Sequence, residues 1–330
     1  ASCETSGMSR PRNPLPAQLG AVFSYAEARA AGVSTLRLQG NDLDRLTRGV
    51  YVRRPAASVD STVEDARRRR SRYLASVLAV GAHLPSGHFL SHASAAVVWG
   101  LPVPLACMAG VDVACFAPRR SLRRPGVRGH QTRIALASTS TRQGVRVTDP
   151  ASTWAMLAPT LALRDAVALG DAALQQRRIP GTSRVPAGPL ATFADLEASV
   201  AAGRRVGVER LRELLPLLVT RSASAPESHL RLLLQSWGLP PPKLDFDVRG
   251  LDGALLGCSE LAYPEDRLAL EYEGGQHRVD TAQWNRDIEK YRHYAQAGWE
   301  VPRVPADLPY RRPEKLRRHI EEALTRRARC

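Results

Sequence analysis

Between Ser224 and Arg327 the chain alternates between helix-period and strand-period segments in an order that few folds can accommodate. Ser224-Ala-Pro-Glu227 opens a helix that runs to Trp237 and is stopped by Gly238 and Pro240-Pro-Pro242. Three alternating stretches follow: Leu244 to Val248, Ala254 to Tyr263 and Arg267 to Glu273, with Pro264-Glu-Asp266 as the turn between the last two. A helix from Gln283 to Ala297 is stopped by Gly298. A strand from Trp299 to Val304 and a basic helix from Pro313 to Arg327 complete the run. The expected order is α-β-β-β-α-β-α.

In Leu268-Ala-Leu-Glu-Tyr-Glu273 successive side chains face opposite sides of a sheet, so Glu271 and Glu273 point the same way, their Cα atoms about 7 Å apart. Glu260 lies on the preceding strand and reaches them across the hairpin. Carboxylates bunched on one face repel one another unless a cation neutralises them, and hard oxygen donors suit Mg²⁺ or Mn²⁺. Gly274-Gly275 permits a sharp turn or close approach to a phosphate, and Gln276 and His277 project near the same place. Glu227, three residues after Ser224, also fits a capping box at the start of its helix. Trp284, Ile288, Tyr291 and Ala295 recur at helical spacing and are expected in the core.

Charge divides the chain. The net charge is +15, and its cations are 44 Arg against 3 Lys. Residues 1–221 hold 30 Arg and 15 acids, whereas residues 222–330 hold 17 basic and 17 acidic residues. The whole excess therefore lies in the first two-thirds. A field of that sign draws polyanions, which points to nucleic acid. No apolar run approaches the roughly 18 residues of a membrane helix, so no membrane partner is expected. Ala1 to Pro16 lack the pattern of a secretory signal, and Met8 is a candidate start. The five cysteines are scattered without CxxC spacing and read as reduced thiols in a cytoplasm, with no zinc site.

Residues 1–20 are Pro- and Ser-rich and expected to be disordered. A helix from Phe23 to Gly32, a short helix from Ser34 to Leu38 and a hairpin from Leu43 to Val52 follow, the order of a winged helix-turn-helix over 21–58. Residues 59–105 read as helical, with Arg67, Arg68, Arg69 and Arg70 ahead of an apolar run. Strands at Val111 to Phe116, Val127 to Arg133 and Val145 to Thr148 enclose a basic loop with Arg119, Arg120, Arg123 and Arg124. Asp149-Pro-Ala opens further helices up to Val219, and RSASA at 221–225 reads as a linker. Candidate phosphate contacts in this part are Arg48, Arg53, Arg67, Arg68, Arg119, Arg120 and Arg123.

Over roughly residues 20–220, "GVSTLRLQGNDLDRLTRGVYVRR", "LSHASAAVVWGLPVP" and "VRVTDPASTWAML" resemble AbiEi-type antitoxin proteins. The resemblance implies a winged-helix DNA reader followed by an α+β domain over 59–221. The second helix, Ser34 to Gln39, is short for a major groove, so backbone binding is expected ahead of sequence reading.

Over 222–330, "ELAYPEDRLALEYEGGQHR" followed by "QWNRDIEKYRHYAQAGW" resembles the very-short-patch-repair-like endonuclease domain of the PD-(D/E)XK superfamily. That resemblance implies an α/β, restriction-endonuclease-like domain with metal ligation by Glu260 and Glu271 and Glu273 as a third carboxylate. It makes His277 a general base or phosphate contact and Glu227 the acid of the leading helix. Arg286 and Lys290 share a face of the later helix and would meet the scissile phosphate, with Gln276 nearby. Two positions depart from the pattern. Glu260 stands where Asp is usual, and Glu273 replaces the lysine two residues after Glu271, leaving cationic help to Lys290 or Arg286. Taken together, the expectation is a multidomain α/β protein, a metal-dependent DNA endonuclease in phage defence or repair. Its rival is a non-catalytic DNA-binding regulator of antitoxin type with the nuclease fold retained. RNA as substrate, a toxin partner and a homodimer stay open at this level.

Overall fold

The computed structural model describes residues 13–20, 22–47, 49–53, 62–273 and 281–327. The chain is a mixed α/β protein that forms two compact units. The first takes in the described chain up to Ser94 with Leu105–Arg133 and Thr139–Val147; the second takes in Ala95–Pro104, Ile134–Ser138 and the described chain from Thr148 onward.

The first unit begins with β1 (Val22–Ser24), α1 (Tyr25–Ala30), a 3₁₀ turn at Arg37–Gln39, β2 (Leu43–Thr47) and β3 (Val50–Arg53), the strands lying in the antiparallel order β1-β3-β2. Phe23, expected in a helix, is in β1 opposite Tyr51. The helix starts two residues later because Ser24 caps it. Ser24 Oγ accepts from Glu27 N at 3.1 Å and Glu27 Oε2 accepts from Ser24 N at 2.6 Å. Residues 13–20 are not the disordered tail expected of them. Leu15 and Leu19 are buried against Phe23, Ala28, Leu38 and Tyr51. The proline-rich composition hid two well-spaced leucines. Residues 1–12 lie outside the described residues.

The same unit continues with α2 (Thr62–Ala82), β4 (His88–Leu90), the start of α3 (His92–Trp99), β5 (Val111–Phe116), β6 (Val127–Thr132), β7 (Thr139–Arg142) and β8 (Val145–Thr148). Their sheet runs β6-β5-β4-β8-β7. Strands β4 and β7 escaped the sequence reading because three or four residues give too few alternations to register.

The second unit carries α4 (Pro150–Leu157), capped by Asp149, then α5 (Leu163–Leu174), α6 (Phe193–Ala201), α7 (Val208–Leu214) and α8 (Ala225–Ser236). Buried Asp171 of α5 holds α8 in place. It accepts from Ser228 Oγ at 2.7 Å, Arg231 Nη2 at 3.0 Å and Val219 N at 2.7 Å. RSASA is thus a packed turn rather than a free linker, with Ser222 buried and bonded to Ser228. Next come β9 (Lys243–Arg249), β10 (Leu255–Tyr263), β11 (Leu268–Glu273), α9 (Thr281–Gln296), β12 (Arg303–Pro305), α10 (Leu308–Arg311) and α11 (Pro313–Arg327). The sheet order is β12-β11-β10-β9, with β9, β10 and β11 antiparallel and β12 parallel to β11. A parallel neighbour needs a crossover, and α9 supplies it.

Period-2 alternation assigns the two sheet faces. Leu261, Leu268 and Leu270 pack on Leu230 and Leu234 of α8 and Leu316 and Ile320 of α11. Ala269 and Val248 turn the other way, onto Tyr294 of α9. The core face expected of α9 needs correction: Ile288 is 46% exposed and Ala295 is exposed, while Tyr294 is fully buried. The buried stripe passes through Lys290 and Tyr294, whose polar ends hide it from an apolar count. The side chain of Trp284 lies outside the described residues.

Candidate active site

Antiparallel register sets the site. The pairs Leu261↔Leu270 and Ala262↔Ala269 put Glu260 opposite Glu271, on the face that α9 covers. Glu260 Oε2 accepts from Tyr272 N at 2.9 Å. Glu271, 7% exposed, accepts at Oε1 from Lys290 Nζ at 2.9 Å, and the same ammonium donates to Cys258 O at 2.8 Å. Lys290 comes this close because the strand beneath it carries a glycine. A Cβ on Gly257 would lie 2.9 Å from Tyr294 Oη and 3.3 Å from Lys290 Cγ and Cε. The ammonium also sits 5.3 Å from the Tyr294 ring centre and 5.6 Å from that of Tyr291, in reach of cation–π attraction.

Glu227 enters from the first turn of α8. Its Oε2 accepts from Ala223 N at 2.8 Å and its Oε1 from Ser224 Oγ at 2.9 Å, so it braces the helix start as well as facing the acids. Burial pushes the Glu260 carboxyl from 4.5 to about 8, with the charges of Glu227 and Glu271 adding to the rise and the Tyr272 amide and Lys290 opposing it. Glu227 is also raised, first by burial; the Ala223 and Ser224 bonds and the charge of Arg177 pull the other way, and Glu271 adds to the rise. Three carboxylates therefore feel one another across a cluster that contains one ammonium.

Glu273 is placed differently. It is half-exposed and takes Arg303 Nη1 at 3.2 Å, while that guanidinium lies 4.5 Å over Tyr291. The set brought together is thus Glu227, Glu260, Glu271 and Lys290. Gln276, His277 and Arg48 lie outside the described residues, as does the side chain of Arg286. Arg53 spends its guanidinium on Pro16 O at 2.8 Å and Leu19 O at 3.0 Å.

Among the described residues no three His, Cys, Asp or Glu form a group able to hold a metal ion. Mg²⁺ seldom needs an all-protein cage, since it keeps several waters and takes one or two carboxylates plus substrate phosphate oxygens. Glu260 Oε1 and Glu271 Oε2 take no hydrogen bond from the described residues. Glu260, crowded by two other acids, would be relieved by a cation. The donor chemistry fits one divalent ion on Glu260 and Glu271.

In the first unit Arg67, Arg119, Arg120, Arg123 and Arg124 are exposed, as is Arg68. The loop that carries four of them is fixed. Arg119 O accepts from Cys115 Sγ at 3.1 Å and Gln131 Nε2 at 2.7 Å, and Leu122 lies so close over Gly129 that a Cβ there would run into the Leu122 carbonyl. His130 Nε2 meets buried Asp112 Oδ1 at 2.9 Å beside Arg128, and His92 stacks on His130 at 4.0 Å. Arg128 supplies the counter-charge of buried Asp112, and burial lowers the pKa of His92 from 6.5 to about 4.

No family model matches this chain, and no solved structure matches it. Two proteins of Mycobacterium tuberculosis are similar to it, Uncharacterized protein MT2308 of strain CDC 1551 / Oshkosh and Uncharacterized protein Rv2248 of strain ATCC 25618 / H37Rv. Each is 32% identical over 184 residues, a stretch that makes up 56% of this chain and 63% of theirs. The match therefore spans less than two-thirds of either relative.

Proposed function

We propose that this protein is a Mg²⁺- or Mn²⁺-dependent DNA endonuclease that cuts at the Glu227, Glu260, Glu271 and Lys290 cluster and is delivered to DNA by its first unit. One observation carries the reading: Glu260 and Glu271 stand opposite each other on neighbouring strands, with Lys290 holding the second. The order α8-β9-β10-β11-α9-β12-α10-α11 supports a PD-(D/E)XK fold from residue 222 onward. The small β1-β3-β2 sheet with its two short helical turns supports a winged helix before it.

The reaction is hydrolysis of a phosphodiester: a water oxygen bonds to phosphorus and the bond to the leaving sugar oxygen breaks. A divalent ion, when bound, supplies Lewis acidity that activates the water and offsets charge on the phosphoryl oxygens. Glu260 and Glu271 would hold that ion. Lys290, pinned by Cys258 O and the Tyr294 ring, fixes the Glu271 carboxylate and sets a positive charge where phosphoryl charge develops. Glu227 adds negative charge that strengthens cation binding at Glu260. The basic loop at Arg119 to Arg124 and Arg67 of α2 would meet phosphates without reading bases. His277 as base or phosphate contact remains an implication of the resemblance.

A second reading, a DNA-binding regulator that does not cut, is favoured by one fact: Lys290 and Arg303 already neutralise Glu271 and Glu273. Incubation of the purified chain with supercoiled plasmid separates the two. Cleavage is expected with Mg²⁺ or Mn²⁺, none with chelator, and a loss of about 100-fold or more in Glu271→Ala. Cleavage that ignores chelation or survives the substitution would sink the metal site. Salt-sensitive binding without cleavage would favour the regulator.

A further inference from the structure

Residues 175–190, between α5 and α6, form no helix or strand, yet they are tied down at both ends of a short stretch. Beside the start of α8, Gln176 N donates to Thr220 O at 2.8 Å and Gln175 Nε2 to Ser222 O at 3.4 Å. Two residues on, Arg178 fastens the chain to the edge strand β9. Its Nε lies 2.8 Å from Asp245 Oδ2, its Nη1 lies 2.8 Å from Asp247 Oδ2, and its Nη2 donates to the Asp245 carbonyl. Gly181 N donates to both carboxylate oxygens of Asp247 at 3.0 and 3.1 Å, and Cys258 Sγ donates to Asp245 Oδ1 at 2.9 Å. Every carboxylate oxygen of the two acids thus has a partner within the fold.

The fastened segment leaves a cleft of about 630 Å³ against β9, lined by Thr182, Ser183, Thr220, Arg221 and Lys243 as well as by Arg178 and its two acids. Cavities that hold ligands measure roughly 300–1,000 Å³. Its cations differ in what they are free to do. Arg178 is committed to Asp245 and Asp247, whereas Arg221 and Lys243 are exposed and have no ion pair among the described residues. The hydroxyls of Ser183 and Thr220 line the same cleft. Unpaired Arg and Lys side chains beside Ser and Thr hydroxyls are the donors that phosphate oxygens take. The cleft also borders the candidate active site. The pairs Ser259↔Phe246 and Leu261↔Leu244 put residue 245 across from Glu260 in the ladder. Arg177, exposed and held between anchored Gln176 and Arg178, lends positive charge to Glu227.

We propose that this cleft holds phosphates of the DNA strand that flanks the cut, with Arg221 and Lys243 as its contacts and Arg177 leading from it towards Glu227. The inference rests on the reading of the Glu227, Glu260, Glu271 and Lys290 cluster as a site that acts on DNA. That cluster sets three carboxylates against one ammonium, a balance that repels a phosphodiester. Cations beside it offset the repulsion, and each one that meets a phosphate releases counterions from the DNA, which drives binding. Contacts of this kind fix where the backbone lies without reading bases. Residues 175–190 therefore build one wall of the substrate site, and Arg178 is a positioning residue that holds that wall on β9.

Lysine acetylation of the full chain in chelated buffer, read by mass spectrometry, tests it, because the chain has only 3 lysines. A short duplex oligonucleotide is expected to slow acetylation of Lys243 about tenfold at low salt and to leave Lys315, exposed on α11, unchanged. By fluorescence anisotropy, Arg221→Gln and Lys243→Gln should each weaken binding and lower the slope of log affinity against log salt by about 1. Arg204→Gln, at an exposed arginine outside the cleft wall, should change neither. Lys243 that reacts equally fast with and without DNA overturns the cleft. So does a loss in Arg204→Gln equal to that in Arg221→Gln, since overall charge would then suffice. Protection of Lys243 by a mononucleotide as strong as that by the duplex also overturns it, because the cleft would then be a nucleotide pocket. Plasmid cleavage with Mg²⁺ reports on the nuclease reading separately. Protection of Lys243 without cleavage keeps the cleft and removes the enzyme, and cleavage without protection does the reverse.

Discussion

Burial opposes the ionisation of Glu260 in this fold, and Glu260→Gln is expected to stabilise the protein while removing any metal-dependent activity. Burial, reinforced by Glu227 and Glu271, lifts its carboxyl from 4.5 to about 8. The folded state thus holds a proton that the unfolded chain releases. Below 4.5 both states are protonated and the penalty is absent; it grows as pH rises through that window and is complete above about 8. At about 1.4 kcal/mol per unit, the full penalty is about 5 kcal/mol, and near pH 7 about 3 kcal/mol. Glutamine keeps an oxygen for the Tyr272 amide and carries no charge, so it escapes this penalty. Urea unfolding of wild type and variant in chelated buffer should give equal stabilities at the acid end and a gap that opens towards alkaline pH. Added Mn²⁺ should narrow the gap by neutralising Glu260 in the wild type. A difference that stays flat with pH, or a variant less stable above the window, would refute the reasoning, because Glu260 would then be neither crowded nor buried as its surroundings require.

Two further outcomes follow from the packing. Lys290→Met leaves buried Glu271 without its counter-charge and should cost about 3 kcal/mol in chemical denaturation; a variant as stable as wild type would mean that the pair contributes nothing. Gly129→Ala drives a methyl into the Leu122 carbonyl and should cost about 2 kcal/mol. The same change should weaken duplex binding at low salt, read by fluorescence anisotropy, and unaltered affinity would separate the basic loop from DNA binding.

The order of elements after Ser224 was legible because each segment is long enough to show its period and ends at Gly or Pro. Glu260 and Glu271 were legible as neighbours because a tight turn at Pro264-Glu-Asp266 fixes the hairpin register. Other features needed coordinates. Leu15 and Leu19 pack because an arginine on β3, Arg53, collects the carbonyls beside them, a contact across more than thirty residues that no local pattern encodes. Glu273 shares a face with Glu271, yet the parallel strand β12 brings Arg303 to it, and the partner of a crossover strand is invisible in sequence. The buried face of α9 was misread because its contacts are made by the stems and rings of Lys290, Tyr291 and Tyr294, whose polar ends count against burial. Asp245, Asp247 and Arg178 carried no motif at all. Their meeting depends on a long irregular segment folding back on β9.

Lys290 stands on a helix and not on the strand that carries Glu271, and this has a structural consequence. A lysine at 273 would answer only to its own strand, and its neighbourhood is already filled by Arg303. Lys290 instead reaches down from α9 across Gly257, and its ammonium is shared between Glu271 and the carbonyl of Cys258. The thiol of that same residue bonds Asp245, which Arg178 clasps. The position of the cation is therefore set jointly by the acid it serves and by β10 beneath it. Placing a side chain on Gly257 must move Lys290 relative to Glu271. In the proposed active site a displacement of about 1 Å can change a rate about 100-fold, so β10 and the Lys290–Glu271 pair are not independent parts.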